Sequence, residues 1–147
     1  MGSSFAKAYK LFNYDLDCPS GCTICEDGPL IFLPGEIDFV SVMCDISKEI
    51  LAKPTDINGK EVWVCNDNPC PFYKCGRCVN RDFRPFDCRS YPVIPYLKDG
   101  KLDVKLDKTC PLVQQKKMGQ GFLGDAKKGW EYLAPPIWWL KIYQEFS

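Results

Sequence analysis

Cys65-Asn-Asp-Asn-Pro-Cys70-Pro-Phe-Tyr-Lys-Cys75-Gly-Arg-Cys78-Val-Asn-Arg-Asp-Phe-Arg84-Pro-Phe-Asp-Cys88-Arg-Ser-Tyr-Pro92 is the stretch on which the reading of this chain turns. Its five thiols are interleaved with Pro, Gly and Asn, residues that interrupt helices and strands and favour loops. A backbone that bends this freely can bring several sulfurs to one point. Upstream, Cys18, Cys22 and Cys25 form a second short group, and Cys110 follows downstream. Cys44 completes a set of ten, in a sequence without histidine. Most of these thiols are therefore expected to converge on a metal centre.

Composition narrows the alternatives. At 147 residues the chain is long enough for one domain, residues 1–147, with a real hydrophobic core. Lysine plus arginine and aspartate plus glutamate both number 19, so no net field draws in nucleic acid or an anionic membrane. No apolar run approaches the roughly 18 residues of a membrane span, and the first ten residues lack the apolar core of a secretory signal. Together these features predict a cytoplasmic protein in a reducing compartment, where disulfides seldom persist. Cysteine, at about 7% of residues, also falls short of the 8–10% typical of disulfide scaffolds. Without histidine no Ser–His pair can form. Asp15, Asp17, Glu26 and Asp27 read as loop-flanking charges, and no catalytic residue is assigned.

Two metals compete for the thiols. Cys70-x4-Cys75-x2-Cys78 followed by a distant cysteine reproduces the spacing of plant-type ferredoxin loops. Cys18-x3-Cys22-x2-Cys25 has the form of a three-thiolate loop that grips a cubane cluster. With Cys88 and Cys110 these make eight thiolates, enough for one or two 4Fe-4S clusters. Zinc is the alternative, because Cys22-x2-Cys25 and Cys75-x2-Cys78 are paired CxxC groups of the kind that hold a structural ion. The gap between them far exceeds the 15–20 residues of a compact ribbon, however, and zinc would leave several thiols idle. Cysteine-only ligation suits both metals, so spacing alone favours iron–sulfur without excluding zinc. Lys74, Arg77, Arg81, Arg84 and Arg89 lie near the thiols in sequence, where cations would offset the negative charge of a thiolate-held centre.

Phe5, Tyr9 and Phe12 recur at helical spacing and predict a short amphipathic helix. Leu30-Ile-Phe-Leu33 reads either as a buried strand or as the apolar entry to the helix that Pro34-Gly-Glu36-Ile begins. Ile37, Val40 and Cys44 form that helix's inner stripe, and a further helical turn is expected from Ser47 to Ala52. Asn58-Gly59 is a hairpin turn signal, and Val62-Trp-Val64 a strand leading into the main cysteine stretch. Val93 to Leu97 and Leu102 to Leu106 flank Asp99-Gly100, and apolar residues alternate at 102, 104 and 106, which predicts a half-buried β-hairpin. From Pro111 the pattern is helical, in two pieces broken by Pro135-Pro136. The predicted fold is α+β: cysteine-rich loops around metal, a β-hairpin and C-terminal helices.

The motifs Cys18…Cys22…Cys25, Leu33-Pro-Gly-Glu36, Cys70-Pro-Phe, Gly76-Arg-Cys78, Arg84-Pro85, Cys88-Arg-Ser-Tyr-Pro92 and Cys110-Pro-Leu span residues 18 to about 112. In them the chain resembles the YkgJ-like, or CxxCxxCC, cysteine-cluster family of zinc- or iron-chelating domains. The resemblance leaves 113–147 as a helical extension. It implies Cys18, Cys22, Cys25, Cys70, Cys78, Cys88 and Cys110 as metal ligands. The family usually has adjacent cysteines where this chain has Cys25-Glu26, so the eighth ligand is open among Cys75, Cys65, Cys44 and Glu26. Cys75 is favoured for its CxxC pairing with Cys78. Arg84, Arg89 and Tyr91 also match, either as donors to cluster sulfurs or as locks on the loop, the second being favoured. A flagellin lysine methylase group with a related cysteine signature is similar to an iron–sulfur methyltransferase, which favours iron. This chain is much shorter, so methyl transfer is not implied. The expected role is electron transfer or an accessory subunit of a larger enzyme; a zinc-stabilised interaction module is the alternative.

Two further patterns are weighed and set aside. Cys-x3-Cys-x2-Cys is also the spacing of radical S-adenosylmethionine enzymes, but a partial (β/α) barrel does not fit this length. Gly119-Gln-Gly121-Phe-Leu-Gly124 matches a dinucleotide fingerprint, yet no strand precedes it and too little chain follows. It reads as a flexible linker. The aromatic tail from Trp130 to Phe146 reads as a terminal helix docked on the core. Its alternative is a docking surface for a protein partner, since Trp and Tyr are favoured interface anchors.

Overall fold

Phe5, Ala8, Tyr9 and Phe12 fall on one side of a 3.6-residue repeat, and that stripe is buried where α1 (Gly2–Leu11) meets the core. The computed structural model describes residues 2–12, 30–65, 73–74, 77–78, 85–108, 110, 113 and 120–146. Leu30-Ile-Phe-Leu33 divides its work: β1 (Leu30–Ile31) is a strand, and the chain then turns at Pro34-Gly35. Gly35 takes φ 81°, and α2 (Glu36–Cys44) follows. Its buried face carries Glu36, Ile37 and Val40, with Cys44 half-buried. Asp45 ends it in the left-handed conformation at φ 54°, and α3 (Lys48–Leu51) adds the expected further turn.

The predicted hairpin forms at Asp99-Gly100, and the turn at Asn58-Gly59 closes another, whose first strand carries no clear sequence signal. β2 (Lys53–Ile57) and β3 (Lys60–Cys65) flank Asn58-Gly59, with Ile57 opposite Lys60 and Lys53 opposite Val64. Both turn residues run at positive φ, 55° and 79°, as a two-residue hairpin loop matched to strand twist requires. β1 adds to the other side of β3, giving an antiparallel sheet of order β1-β3-β2. β4 (Tyr73–Lys74) and β5 (Arg77–Cys78) make a minimal pair. After α4 (Phe86–Ser90), β6 (Val93–Lys98) and β7 (Lys101–Leu106) form the second hairpin, turning at Asp99-Gly100 with φ 53° and 75°.

Two helices complete the chain, α5 (Gln120–Leu133) and α6 (Ile137–Phe146). The reading of Gly119–Gly124 as a linker is corrected here, since residues 120–133 are helical. Phe122, Ala126 and Trp130 recur every fourth residue and are 0–1% exposed. Burial of that stripe outweighs the poor helix propensity of Gly121, Gly124 and Gly129. Gly129 has a specific use, because a Cβ there would run into the ring of Phe86. Ala134 closes α5 at φ 48°, its N–H donating to the Trp130 carbonyl.

The fold is α+β. The main core gathers α1, α4, α5, α6 and the β6–β7 hairpin around Phe12, Phe86, Phe122, Trp130 and Trp139. A second apolar cluster lies among β1, β3, α2 and α3, built on Leu30, Phe32, Ile37, Val40, Leu51 and Cys65. The aromatic tail is part of the first core: Trp139 is fully buried and its indole N–H donates to the Phe32 carbonyl at 2.9 Å. Tyr132 and Ile137 are the large apolar side chains of that tail left exposed among the described residues. No helix among the described residues is long and apolar enough to cross a membrane.

Candidate metal centre

The frame brings the ends of the two cysteine-bearing segments together. Residues 13–29, which carry Cys18, Cys22 and Cys25, are bounded by Phe12 and Leu30. The main cysteine stretch leaves the sheet at Cys65 and, apart from the β4–β5 pair, returns to the described residues at Pro85. In the β1–β3 ladder Leu30 is the direct partner of Cys65, so those two chain ends are about 5 Å apart at their Cα atoms. At the other ends, the Phe12 and Phe86 rings lie 5.8 Å apart between centroids. α4 also packs against β1. All four boundary points thus belong to one region of the fold, although they span residues 12 to 85.

Cys88 sits at the centre of α4, a helix of only five residues. A helix so short has little intrinsic stability, and its neighbours supply the rest. The Phe86 N–H donates to the Glu36 carboxylate at 2.8 Å. Tyr143 of α6 donates its hydroxyl to Asp87 Oδ1 at 2.7 Å. Arg89, 4% exposed, lays its guanidinium over the Tyr9 ring, 4.1 Å from the centroid. Ser90 accepts from the Trp130 indole at 3.0 Å and donates to the Val93 carbonyl at 2.9 Å. Tyr91 donates to Asp107 Oδ2 at 2.6 Å. Each residue flanking Cys88 is held by a different element, and the thiol itself packs at the edge of the second apolar cluster, which contains Cys65 and is also bordered by Cys44.

Cys110 is tied to the same place by backbone bonds. The Asp107 N–H donates to the Pro92 carbonyl at 2.7 Å, and the Cys110 N–H to the Asp107 carbonyl at 3.2 Å. Through Tyr91 and Asp107 the buried Cys110 is therefore linked to the helix that carries Cys88.

Burial governs the local electrostatics. It pushes the Asp87 carboxyl up to about 7 despite the hydrogen bond from Tyr143, and the nearby Glu36 adds in the same direction. Glu36 is likewise raised by burial, against the opposing pull of its three hydrogen bonds and of Arg89. Burial lifts the phenols of Tyr9 and Tyr143 well above their usual range, the adjacent carboxylates reinforcing it. Burial raises the Cys44 thiol as well, which makes it a poor candidate for a free thiolate.

Of the sequence-predicted site residues, Cys88, Cys110, Arg89 and Tyr91 stand on this frame. Cys18, Cys22, Cys25, Cys70, Cys75, Arg84 and Glu26 lie outside the described residues, and Cys78 is described only as the backbone partner of Tyr73 in β5. Among the described residues no three His, Cys, Asp or Glu side chains form a metal-sized group. Arg89 stacks on the Tyr9 ring and Tyr91 donates to Asp107. The donors that are described, two thiols on fixed backbone beside converging chain ends, fit a soft metal held by cysteine.

Sequence reasoning missed the residues that do the fixing: Glu36, Tyr9, Asp87 and Trp130. From sequence Glu36 reads as the start of α2 and as one residue of the Leu33-Pro-Gly-Glu36 motif, not as a buried acceptor. Its signal was its place, a carboxylate three residues after the wholly apolar run Leu30–Leu33, across the Pro34-Gly35 turn. Comparison of the chain with protein-family models, curated proteins and solved structures finds no match.

Proposed function

We propose that this chain is a cysteine-ligated metalloprotein, with an iron–sulfur centre as the first choice of metal, and that it serves electron transfer or acts as an accessory subunit of a larger enzyme. The observation that carries the reading is the pairing of Leu30 with Cys65. It sets the ends of two thiol-rich segments side by side, so their sulfurs need little further chain ordering to meet. Cys88 and Cys110 would be ligands from the rigid frame. Cys18, Cys22, Cys25, Cys70, Cys78 and one of Cys75, Cys65, Cys44 and Glu26 would complete the set, with Cys75 preferred. Such a centre, when bound, supplies one-electron chemistry. The protein's own part is to fix the thiolates, limit access by solvent and offset negative charge.

The proposal extends to membership of the YkgJ-like family, on the motifs quoted above, and to a cytoplasmic setting with a protein partner. The test is purification without oxygen followed by measurement of iron, zinc and acid-labile sulfide. A brown protein with iron and sulfide supports the reading. Colourless protein holding only zinc replaces it with a zinc-stabilised interaction module, where metal binding is folding energy. Protein that holds neither metal rejects both.

A further inference from the structure

Glu36 is fully buried, and its two carboxylate oxygens take three hydrogen bonds from three separate parts of the chain. Tyr9 of α1 donates its hydroxyl to Oε2 at 2.7 Å. The Leu33 N–H, two residues after β1, donates to Oε1 at 3.1 Å. The Phe86 N–H, at the start of α4, donates to Oε2 at 2.8 Å. Arg89 adds its charge nearby and stacks on the same Tyr9 ring. These partners have a common property. α1 leads into the segment bearing Cys18, Cys22 and Cys25, Leu33 follows that segment, and Phe86 follows the main cysteine stretch.

We infer that Glu36 is a positioning residue for the metal centre: one buried carboxylate holds three of the four chain ends from which the cysteine-bearing segments depart. A carboxylate is suited to this, since its two oxygens can accept several donors arriving from different directions. An apolar residue of the same size would leave two backbone N–H groups and a phenol buried without an acceptor. The consequence reaches the metal because the geometry of the thiolates depends on where their segments begin and end. This inference rests on the metal-thiolate reading and adds to it a specific residue that touches no metal.

The experiment compares the full chain with Tyr9→Phe, Glu36→Gln, Glu36→Ala and Val104→Ala, purified without oxygen and analysed for iron and zinc. Release of the metal is then followed during challenge with EDTA. Val104 packs in the β6–β7 hairpin against the main core and makes none of the three Glu36 hydrogen bonds, so its truncation lowers stability without removing a donor to Glu36. Tyr9→Phe removes a single hydroxyl and is expected to fold. The expected result is metal release about tenfold faster in Tyr9→Phe, faster still in Glu36→Gln and fastest in Glu36→Ala. Val104→Ala, at a comparable loss of thermal stability, should stay within about twofold of wild type, whereas tenfold corresponds to about 1.4 kcal/mol. Equal release from Tyr9→Phe and wild type, or release that simply tracks melting temperature across all four variants, overturns the inference while leaving the metal reading intact. Wild-type protein without metal overturns both.

Discussion

Gly129 shows how one missing atom can set the distance between elements. Glycine inside a helix normally costs up to about 1 kcal/mol relative to alanine. Here the ring of Phe86 occupies the space a Cβ would need, and Phe86 opens the helix that bears Cys88. Gly129→Ala is therefore expected to destabilise the fold by about 1–3 kcal/mol, overpacking outweighing the gain in propensity. Thermal unfolding reads this directly, and a raised melting temperature would contradict the contact. Glu36 makes a second prediction at the same scale. Burial raises its pKa above the ordinary value of 4.5 in the folded chain, so the folded state keeps a proton that the unfolded state has released. That contribution to stability is full below the unfolded value and is lost as pH rises through the folded one. Wild type should lose stability relative to Glu36→Gln across that interval in chemical denaturation. Parallel pH profiles for the two proteins would dispose of the assignment.

Four of the five residues of β2 face solvent on the edge of its sheet. Ile57 and Lys60 flank a two-residue turn and form a hydrogen-bonded pair. By alternation the backbone groups of Pro54 and Asp56 point outward, away from β3. Pro54 has no N–H to offer a neighbouring chain, which blunts the edge. Pro54→Val restores that donor, and the variant should show concentration-dependent association by light scattering that wild type lacks. Elements whose signals are local were legible in the sequence: both hairpin turns announced themselves through Asn-Gly and Asp-Gly, and α1 and α2 through their apolar spacing. α5 was not, because its glycines resemble a linker unless the inward stripe of Phe122, Ala126 and Trp130 is counted first. Leu30–Leu33 was ambiguous because it is a strand for two residues and then a turn.

At the level of the whole molecule, the aromatic C-terminal helix is structural before it is anything else. Trp139, Leu140, Ile142 and Tyr143 are all at most 4% exposed, and each such side chain contributes roughly 2–3 kcal/mol by burial. Ending the chain after Ala134 should therefore abolish cooperative unfolding rather than merely weaken a partner contact. Circular dichroism and a melting curve check this; a truncated chain with a native-like transition would reverse it. The same scale explains which part of the site could be read in advance. The thiols are visible as spacing. The groups that hold Cys88 are not, because Tyr9, Glu36, Phe86 and Tyr143 meet across separations of 27 to 56 residues. No local pattern records a contact of that range; it follows only from the packing of α1, α2 and α6 around α4.

The Leu30–Cys65 pairing has a consequence for how such a protein can diversify. The pairing anchors one end of each cysteine-bearing segment to the sheet, and lengthening a segment between fixed points is inexpensive, since each doubling adds only about 0.6 kcal/mol of closure entropy. The anchored ends act as a socket, and what is plugged into it can be exchanged. On the metal-thiolate proposal, chimeras carrying inserts with other thiol spacings between Phe12 and Leu30 would keep the scaffold while changing which metal is held.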